Sequence, residues 1–253
     1  GQATNGYSFV YNGNTVTSLT NAGTYRLQIA LTSDIAGNYL LNNSGAATLT
    51  ITPAPLTISG SSVATKTYDA STTAVVTPGA LSGFIGTETV GVTATGVYDS
   101  ANAGARVVTP TYTLTNGTNG GLAQNYSITS APIYATISPA TLRLSGTKVY
   151  DGLTSIAGST LTATGVASQT FSLTGVGDLS NLASSNVQTN SALSSITGLT
   201  LGTSSNGGIS SNYNALTLTG STYSVTPKPI TVSGFTIADH VYDGGLLDRK
   251  SVV

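Results

Sequence analysis

Two long repeats in this chain each place a lysine, an aspartate three residues later and a distant asparagine in the same order: Lys66, Asp69 and Asn125, then Lys148, Asp151 and Asn212. A lysine amine that attacks an asparagine carboxamide forms an isopeptide bond and releases ammonia, with a carboxyl group shuttling the proton. The reaction needs a neutral, and therefore buried, lysine beside that carboxyl. The competing reading makes each lysine a solvated edge residue that discourages strand-to-strand aggregation. The third copy of the position is His240, which cannot make the bond. Calcium is a second chemistry to weigh, because Asp99, Asn102 and Asp178 sit in Gly/Asn/Ser-rich loops. Calcium takes six to eight oxygens, usually with several carboxylates, and Glu88 is the single glutamate. With one histidine, no complete repeat builds a Ser-His-Asp triad. With no cysteine, thiol catalysis and thiolate zinc are excluded. No motif supports a carboxylate pair for glycoside chemistry. The sequence therefore assigns no catalytic residue, no metal ligand and no cofactor.

The elements around these residues repeat. Thr50-Ile51-Thr52-Pro53-Ala54, Thr136-Ile137-Ser138-Pro139-Ala140 and Ser224-Val225-Thr226-Pro227-Lys228 each read as a strand ending at a proline hinge, with a second strand following. Then come Tyr68-Asp69-Ala70, Tyr150-Asp151-Gly152 and Tyr242-Asp243-Gly244. Asn38-Tyr39, Asn125-Tyr126 and Asn212-Tyr213 keep the same interval. A module repeated in tandem is a different object from one large domain. Tyr-Asp-Gly is expected to be structural: Asp bonds backbone two residues on, Gly supplies positive φ, and Tyr buries its ring and satisfies its hydroxyl nearby. Asn-Tyr is read the same way, with Asn capping turn backbone and Tyr anchored in the core.

Composition bounds the partners. Of the 253 residues 7% are charged, with net charge −1, against about 25% charged in ordinary soluble domains. Eight Lys and Arg make no basic stripe, which argues against nucleic acid and against acidic lipid. No apolar run approaches the ~18 residues that cross a bilayer, so no direct membrane insertion is expected. The chain has no Met and starts at Gly1, so it reads as an internal piece of a longer frame. Residues 248–253 match the in-frame translation of a common sequencing adapter and are expected to be foreign to the gene.

Residues 1–53 are expected to be the back part of a truncated module, 54–139 and 140–227 two complete repeats, and 228–247 the truncated start of a third. Strands are predicted at 7–11, with a hairpin at Asn12-Gly13, and at 25–31 and 47–52, with Ala47, Leu49 and Ile51 on one face. The first complete repeat has candidates at 56–58, 73–76, 89–93, 106–108, 112–114 and 134–137. The second has them at 142–144, 170–173, 199–201, 215–218 and 223–225. Asn21-Ala22-Gly23 and Asn102-Ala103-Gly104 are turns, replaced in the second repeat by Ser185-Asn186-Val187. Residues 180–195 are the best of a poor field for a helix. Short strands separated by Gly/Asn/Ser turns argue an all-β, sandwich-like module of about 85–90 residues. Strands running nearly continuously through each proline would couple modules into a semi-rigid rod.

Lys-x-Tyr-Asp-Gly after a proline-hinged strand, followed by Asn102-Ala103-Gly104, Asn125-Tyr126 and the closing Thr-Ile-x-Pro-Ala, resembles the YDG repeat domains. The opening segment, from Asn21-Ala22-Gly23-Thr24-Tyr25 through Gly37-Asn38-Tyr39 to Thr50-Ile51-Thr52-Pro53-Ala54, resembles the companion MBG-type domains. The departures are Ala70 for Gly, His240 for Lys and the altered Asn-Ala-Gly of the second repeat. Both families occur in tandem in very large secreted bacterial proteins of the filamentous-haemagglutinin type. The resemblance implies a surface-exposed adhesin-type protein without catalysis, and leaves a β-grasp-like topology open beside the sandwich. The expected role is a stalk or spacer, with neighbouring repeats as partners. A rival reading is direct binding of host glycans or matrix proteins through exposed tyrosines such as Tyr7 with Tyr11, or Tyr112. A third is an accessory module of an extracellular enzyme.

Overall fold

The computed structural model of the chain describes residues 7–16, 18–31, 36–37, 41 and 46–234. Asn38, Tyr39, His240, Tyr242, Asp243, Gly244 and residues 248–253 lie outside the described residues. Among those described, the regular structure is all-β and sandwich-like, with several sheets and short 3-10 turns.

The first sheet has order β2-β1-β3-β4, from β1 (Tyr7–Tyr11), β2 (Asn14–Thr15), β3 (Gly23–Leu31) and β4 (Ala47–Ile51). Asn12 and Gly13 both take positive φ, 50° and 80°, the conformation that the tightest hairpins require. Strand β3 turns Tyr25 and Leu27 inward between exposed neighbours, as its alternation predicts. Leu49 on β4 is instead exposed, although alternation put it on an inward face.

At Pro53 the chain changes sheets. Strand β5 (Ala54–Ser59) leaves β3 and β4 and joins a second sheet. The further strands are β6 (Ser62–Val63), β7 (Lys66–Thr67), β8 (Thr73–Ala74), β9 (Val76–Thr77), β10 (Ala80–Ser82), β11 (Val90–Tyr98), β12 (Gly104–Asn116), β13 (Tyr126–Ile128) and β14 (Ile133–Ser138). They form a three-stranded sheet β10-β5-β13 and a five-stranded sheet β7-β14-β12-β11-β8, with β6 paired to β9. The two strands expected at 106–108 and 112–114 are one strand, β12, running through Pro110. Pro110 is tolerated because β12 shares only residues up to Val108 with β14. Beyond that point β11 is its one neighbour, and a missing N–H can face away from the ladder.

The remaining strands are β15 (Arg143–Val149), β16 (Leu161–Thr164), β17 (Thr170–Thr174), β18 (Gln188–Ser191), β19 (Thr200–Ser204) and β20 (Thr222–Thr226), in the order β18-β20-β15-β16-β17-β19. Residues 215–218 alternate like a strand but form none. Only Tyr213 makes a bridge there, to Ala140, so the pattern has no ladder to join. Residues 180–195 hold turns and β18 rather than a helix.

A purely antiparallel sandwich would not show one recurring feature. Strand β7 runs parallel to β14, with Lys66 opposite Ile137, and β15 runs parallel to β20, with Lys148 opposite Val225. The register also fixes which turns correspond. Gly23 faces Ile51, Gly104 faces Ile137 and Gln188 faces Val225. The counterpart of Asn102-Ala103-Gly104 is therefore Asn186-Val187-Gln188, one residue later than the sequence comparison suggested, and its asparagine is kept.

The chain divides into two compact units. The first comprises Gly1–Leu142, Thr164–Phe171 and Thr203–Leu216. One of its cores joins Leu56, Val90 and Tyr126 with the partly buried Leu81, Phe84 and Leu114. The second comprises Arg143–Ala163, Ser172–Gly202 and Thr217–Val253, with Leu144, Ile156, Leu161, Tyr223 and Val225 among its buried residues. Burial of such side chains stabilises by about 1.5–3 kcal/mol each.

Candidate functional site

The lysines come first, because the crosslinking reading depended on them. Lys66 Nζ donates to Ser71 O (2.8 Å), Ser71 Oγ (2.9 Å) and Thr73 O (2.9 Å), and pairs with Asp69 Oδ1 at 2.9 Å. Lys148 Nζ donates to Leu153 O (2.7 Å) and Ser155 O (2.8 Å), and pairs with Asp151 Oδ1 at 2.8 Å. The offsets of three, five and seven residues are the same in both. These lysines are mostly buried rather than solvated edge residues, which corrects the expectation for that position. Backbone carbonyls and a carboxylate take up both amines, and neither Asn125 nor Asn212 is among their partners. Each lysine ties down the loop that follows it.

The aspartates complete the same device. Ser71 N–H donates to Asp69 Oδ1, and Leu153 N–H to Asp151 Oδ1, both at 2.9 Å. This is the two-residue reach expected of Asp in a turn. Burial pushes the Asp69 carboxyl up, but hydrogen bonds from Lys66 and Ser71 outweigh it and leave the carboxyl below its ordinary value. The hydrogen bond from Lys148, with that from Leu153, holds Asp151 low as well. Between Asp and the loop stands the residue that needs positive φ, Gly152 at 77° and Ala70 at 63°. Ala70 therefore carries left-handed strain that glycine avoids.

The Asn-Tyr motifs lie at the ends of two matching 3-10 turns, Ala123–Asn125 and Ser210–Asn212. Both tyrosines are buried and their hydroxyls are satisfied in parallel ways. Tyr126 donates to Glu88 Oε2 (2.7 Å) and accepts from Ile85 N–H (3.1 Å). Tyr213 donates to Gln169 Oε1 (2.7 Å) and accepts from Val166 N–H (3.0 Å). The hydrogen bond to Glu88, followed by burial, raises the Tyr126 pKa; burial raises that of Tyr213. Gly165 lies under the Tyr213 ring, where a Cβ would come within 2.4 Å of it.

The asparagines do something the sequence did not disclose. Asn125 Oδ1 accepts the Ala22 N–H at 2.8 Å, and its Nδ2 donates to Asn21 Oδ1 at 3.1 Å. Asn212 Oδ1 accepts the Ala103 N–H at 2.8 Å, and its Nδ2 donates to Asn102 Oδ1 at 3.0 Å. Each Asn-Tyr asparagine thus grips the Asn-Ala turn that lies more than 100 residues before it. The gripped turns are braced from within: Tyr25 Oη donates to Asn21 O, and Arg106 Nε to Asn102 O, both at 2.7 Å. Tyr68 joins the second grip. Its ring meets Tyr213 edge-on at 5.5 Å, and Gln169 Nε2 donates to its hydroxyl at 3.0 Å. Its hydroxyl partner is therefore 101 residues away and not local, as had been expected.

Residues 52–133 are a YDG domain. No curated protein and no solved structure matches the chain. The YDG domain thus contains Lys66, Asp69, Asn125 and Tyr126, and receives the grip of Asn212 on its Asn102 and Ala103. Residues beyond the matched span repeat its lysine-capped turn and its Asn-Tyr contacts, with Gln169 in the place of Glu88.

Other singled-out residues are used differently. Asp99 Oδ1 accepts the Val107 N–H, Asn102 Oδ1 faces Asn212, and Asp178 holds Ser180. No group of three or more His, Cys, Asp or Glu placed to hold a metal occurs among the described residues. Tyr11 packs on Tyr25 at 5.2 Å, and the Tyr112 hydroxyl donates to Ser61 Oγ. Tyr7's side chain lies outside the described residues. Among the described residues, Tyr134 on β14 is 81% exposed, and Tyr150 also faces solvent.

Proposed function

We propose that this chain is stalk: spacer repeats of a secreted or surface-displayed bacterial adhesin, working by geometry and mechanical coupling and without catalysis. The observation that carries the reading is the recurrence of the asparagine grip. Two Asn-Tyr elements, 87 residues apart, each engage an Asn-Ala turn of the segment before the adjacent proline hinge. Covalent continuity through Pro53 and Pro139 together with a second, non-covalent attachment leaves each joint held at two points. Two attachments restrict swivel more than a single linker can. The few charges and many Ser and Thr fit a hydrated surface without strong fields.

The test is a saturation-binding screen of the chain against glycans and matrix proteins, alongside single-molecule extension. Absence of a saturable ligand, with unfolding forces that fall in the Asn125→Ala and Asn212→Ala variants, is the expected result. A specific ligand lost on Tyr134→Ala would overturn it in favour of an adhesive module. That second reading rests on the exposure of Tyr134.

A further inference from the structure

The segment that ends in β20 repeats each part of a gripped joint, but three of its contact positions have no such partner among the described residues. The first is the turn. Asn186 and Val187 occupy the places of Asn102 and Ala103, because Gln188 faces Val225 as Gly104 faces Ile137. Ser184 Oγ accepts the Asn186 N–H as Ser100 Oγ accepts the Asn102 N–H, and Gln188 Nε2 braces the Ser184 carbonyl. Ala22 and Ala103 give their N–H groups to an asparagine, whereas the Val187 N–H has no partner among the described residues, and its side chain is exposed.

The second position is Tyr150. Its N–H bonds Thr226 O as the Tyr68 N–H bonds Ser138 O, both at 2.8 Å. Tyr68 is 5% exposed because Tyr213 covers it, while Tyr150 is 39% exposed. The third is the strand after the hinge. Leu56 and Leu142, three residues past their prolines, are buried, and the chain just before them pairs with Tyr126 and Tyr213. Their counterpart Ile230, and Val232 after it, are 86% and 79% exposed, with the alternation of a strand and no ladder among the described residues. All three positions meet at the end of β20, where Val225 faces Gln188, Thr226 O holds Tyr150, and Pro227 leads to Ile230.

We infer that Tyr150, the Asn186-Val187 turn and residues 228–232 form one socket for the Asn-Tyr element of a further module of this chain's own kind, following in the same polypeptide. Its asparagine would accept the Val187 N–H and donate to Asn186 Oδ1. Its tyrosine would cover Tyr150, and its strand would run parallel to residues 228–230. The inference rests on the serial-coupling reading above and names the surface by which the coupling continues. It commits to this occupant because the same positions elsewhere in the chain are filled by this element and no other.

Hydrogen exchange on two extended chains tests it. In one, residues 230–253 are replaced by a second copy of residues 56–139, and in the other by a second copy of 142–227. The Val187 amide should exchange at least about tenfold more slowly than in the 253-residue chain, as an amide newly protected by local structure does. Replacing the copied Asn125 or Asn212 by Ala should abolish that slowing while the appended strands stay protected. Unchanged Val187 exchange with a folded appended module would overturn the inference, as would failure of both appended modules to fold there. A 253-residue chain that self-associates with Val187 protected would also overturn it, since the occupant would then be a second copy. A glycan or matrix ligand would sink the stalk reading without altering Val187 exchange, so the two failures are distinguishable.

Discussion

Asn212→Ala is the sharpest perturbation of the joint. Asn212 is 1% exposed, and its amide makes two hydrogen bonds, to Ala103 N–H at 2.8 Å and to Asn102 Oδ1 at 3.0 Å. Each bond contributes about 1 kcal/mol net, and a buried partner left unsatisfied adds about 1–3 kcal/mol. Asn102 and Ala103 are half-buried, so water reaches them in part and the lower end of that penalty applies. The expected loss is about 2–4 kcal/mol, equivalent to roughly 30- to 700-fold in a local opening constant. Native-state hydrogen exchange at the Ala103 amide reads this directly, without assuming that two compact units unfold in one step. Asn212→Asp separates geometry from packing. It keeps the acceptor for Ala103 but turns a second oxygen toward Asn102 Oδ1, so it should lose as much as alanine at neutral pH and recover partly on acidification, when a protonated carboxyl can donate. An Ala103 amide that exchanges within threefold of the parent rate in Asn212→Ala would refute the grip.

Ala70→Gly should stabilise by about 0.5–1 kcal/mol, because relief of 1–2 kcal/mol of left-handed strain exceeds glycine's extra unfolded-state entropy; an unchanged or lower urea midpoint would contradict the turn assignment. Lys148→Met should cost about 2–3 kcal/mol, since a charged donor to two carbonyls and Asp151 is lost, and a midpoint within 0.5 kcal/mol of the parent would deny the lysine its role. Asp69 and Asp151 are held below the unfolded carboxylate value of about 3.9, so their stabilisation is complete above that pH and is lost as pH falls through their lower folded values. An acid transition that starts above pH ~5, or that is unmoved in the Asp69→Asn, Asp151→Asn double variant, would count against this. The intact mass should equal that of the unmodified chain, and a deficit of one ammonia per repeat would restore the isopeptide reading.

Much of the local chemistry was legible in the residues. Asp before a positive-φ position dictates a turn whatever surrounds it, so Asp69 and Asp151 behave as read. Alternation located β3, β5, β14 and β20, because a pleated strand imposes a period of two on any half-buried sheet. The hinge prolines marked the changes of sheet, since a residue without an N–H cannot continue an interior ladder. Where partners are distant the same signals failed. Among the described residues the alternation at 215–218 found no neighbouring strand, Leu49 is exposed, and Pro110 stands inside a strand because its outward side is unpaired. Asn181, fully buried and bonded to Ile156 N–H, Ser195 O and Thr197 O, carried no signal, because one asparagine among many is marked only by its surroundings.

The sequence by itself determined the period, the turn chemistry, the all-β class and the poverty of charge. Those properties follow from residue type and near neighbours, whose interactions span a few positions. Only the tertiary structure decided what the repeated asparagines and lysines are for. A lysine on a strand becomes a loop anchor because the loop folds back over it. An asparagine becomes a coupling element because folding brings it against an Asn-Ala turn 103 to 110 residues away. The equal spacing of the two motifs held that information, but spacing carries no direction. Strand register supplied it, by placing each turn beside the hinge that the next Asn-Tyr element crosses.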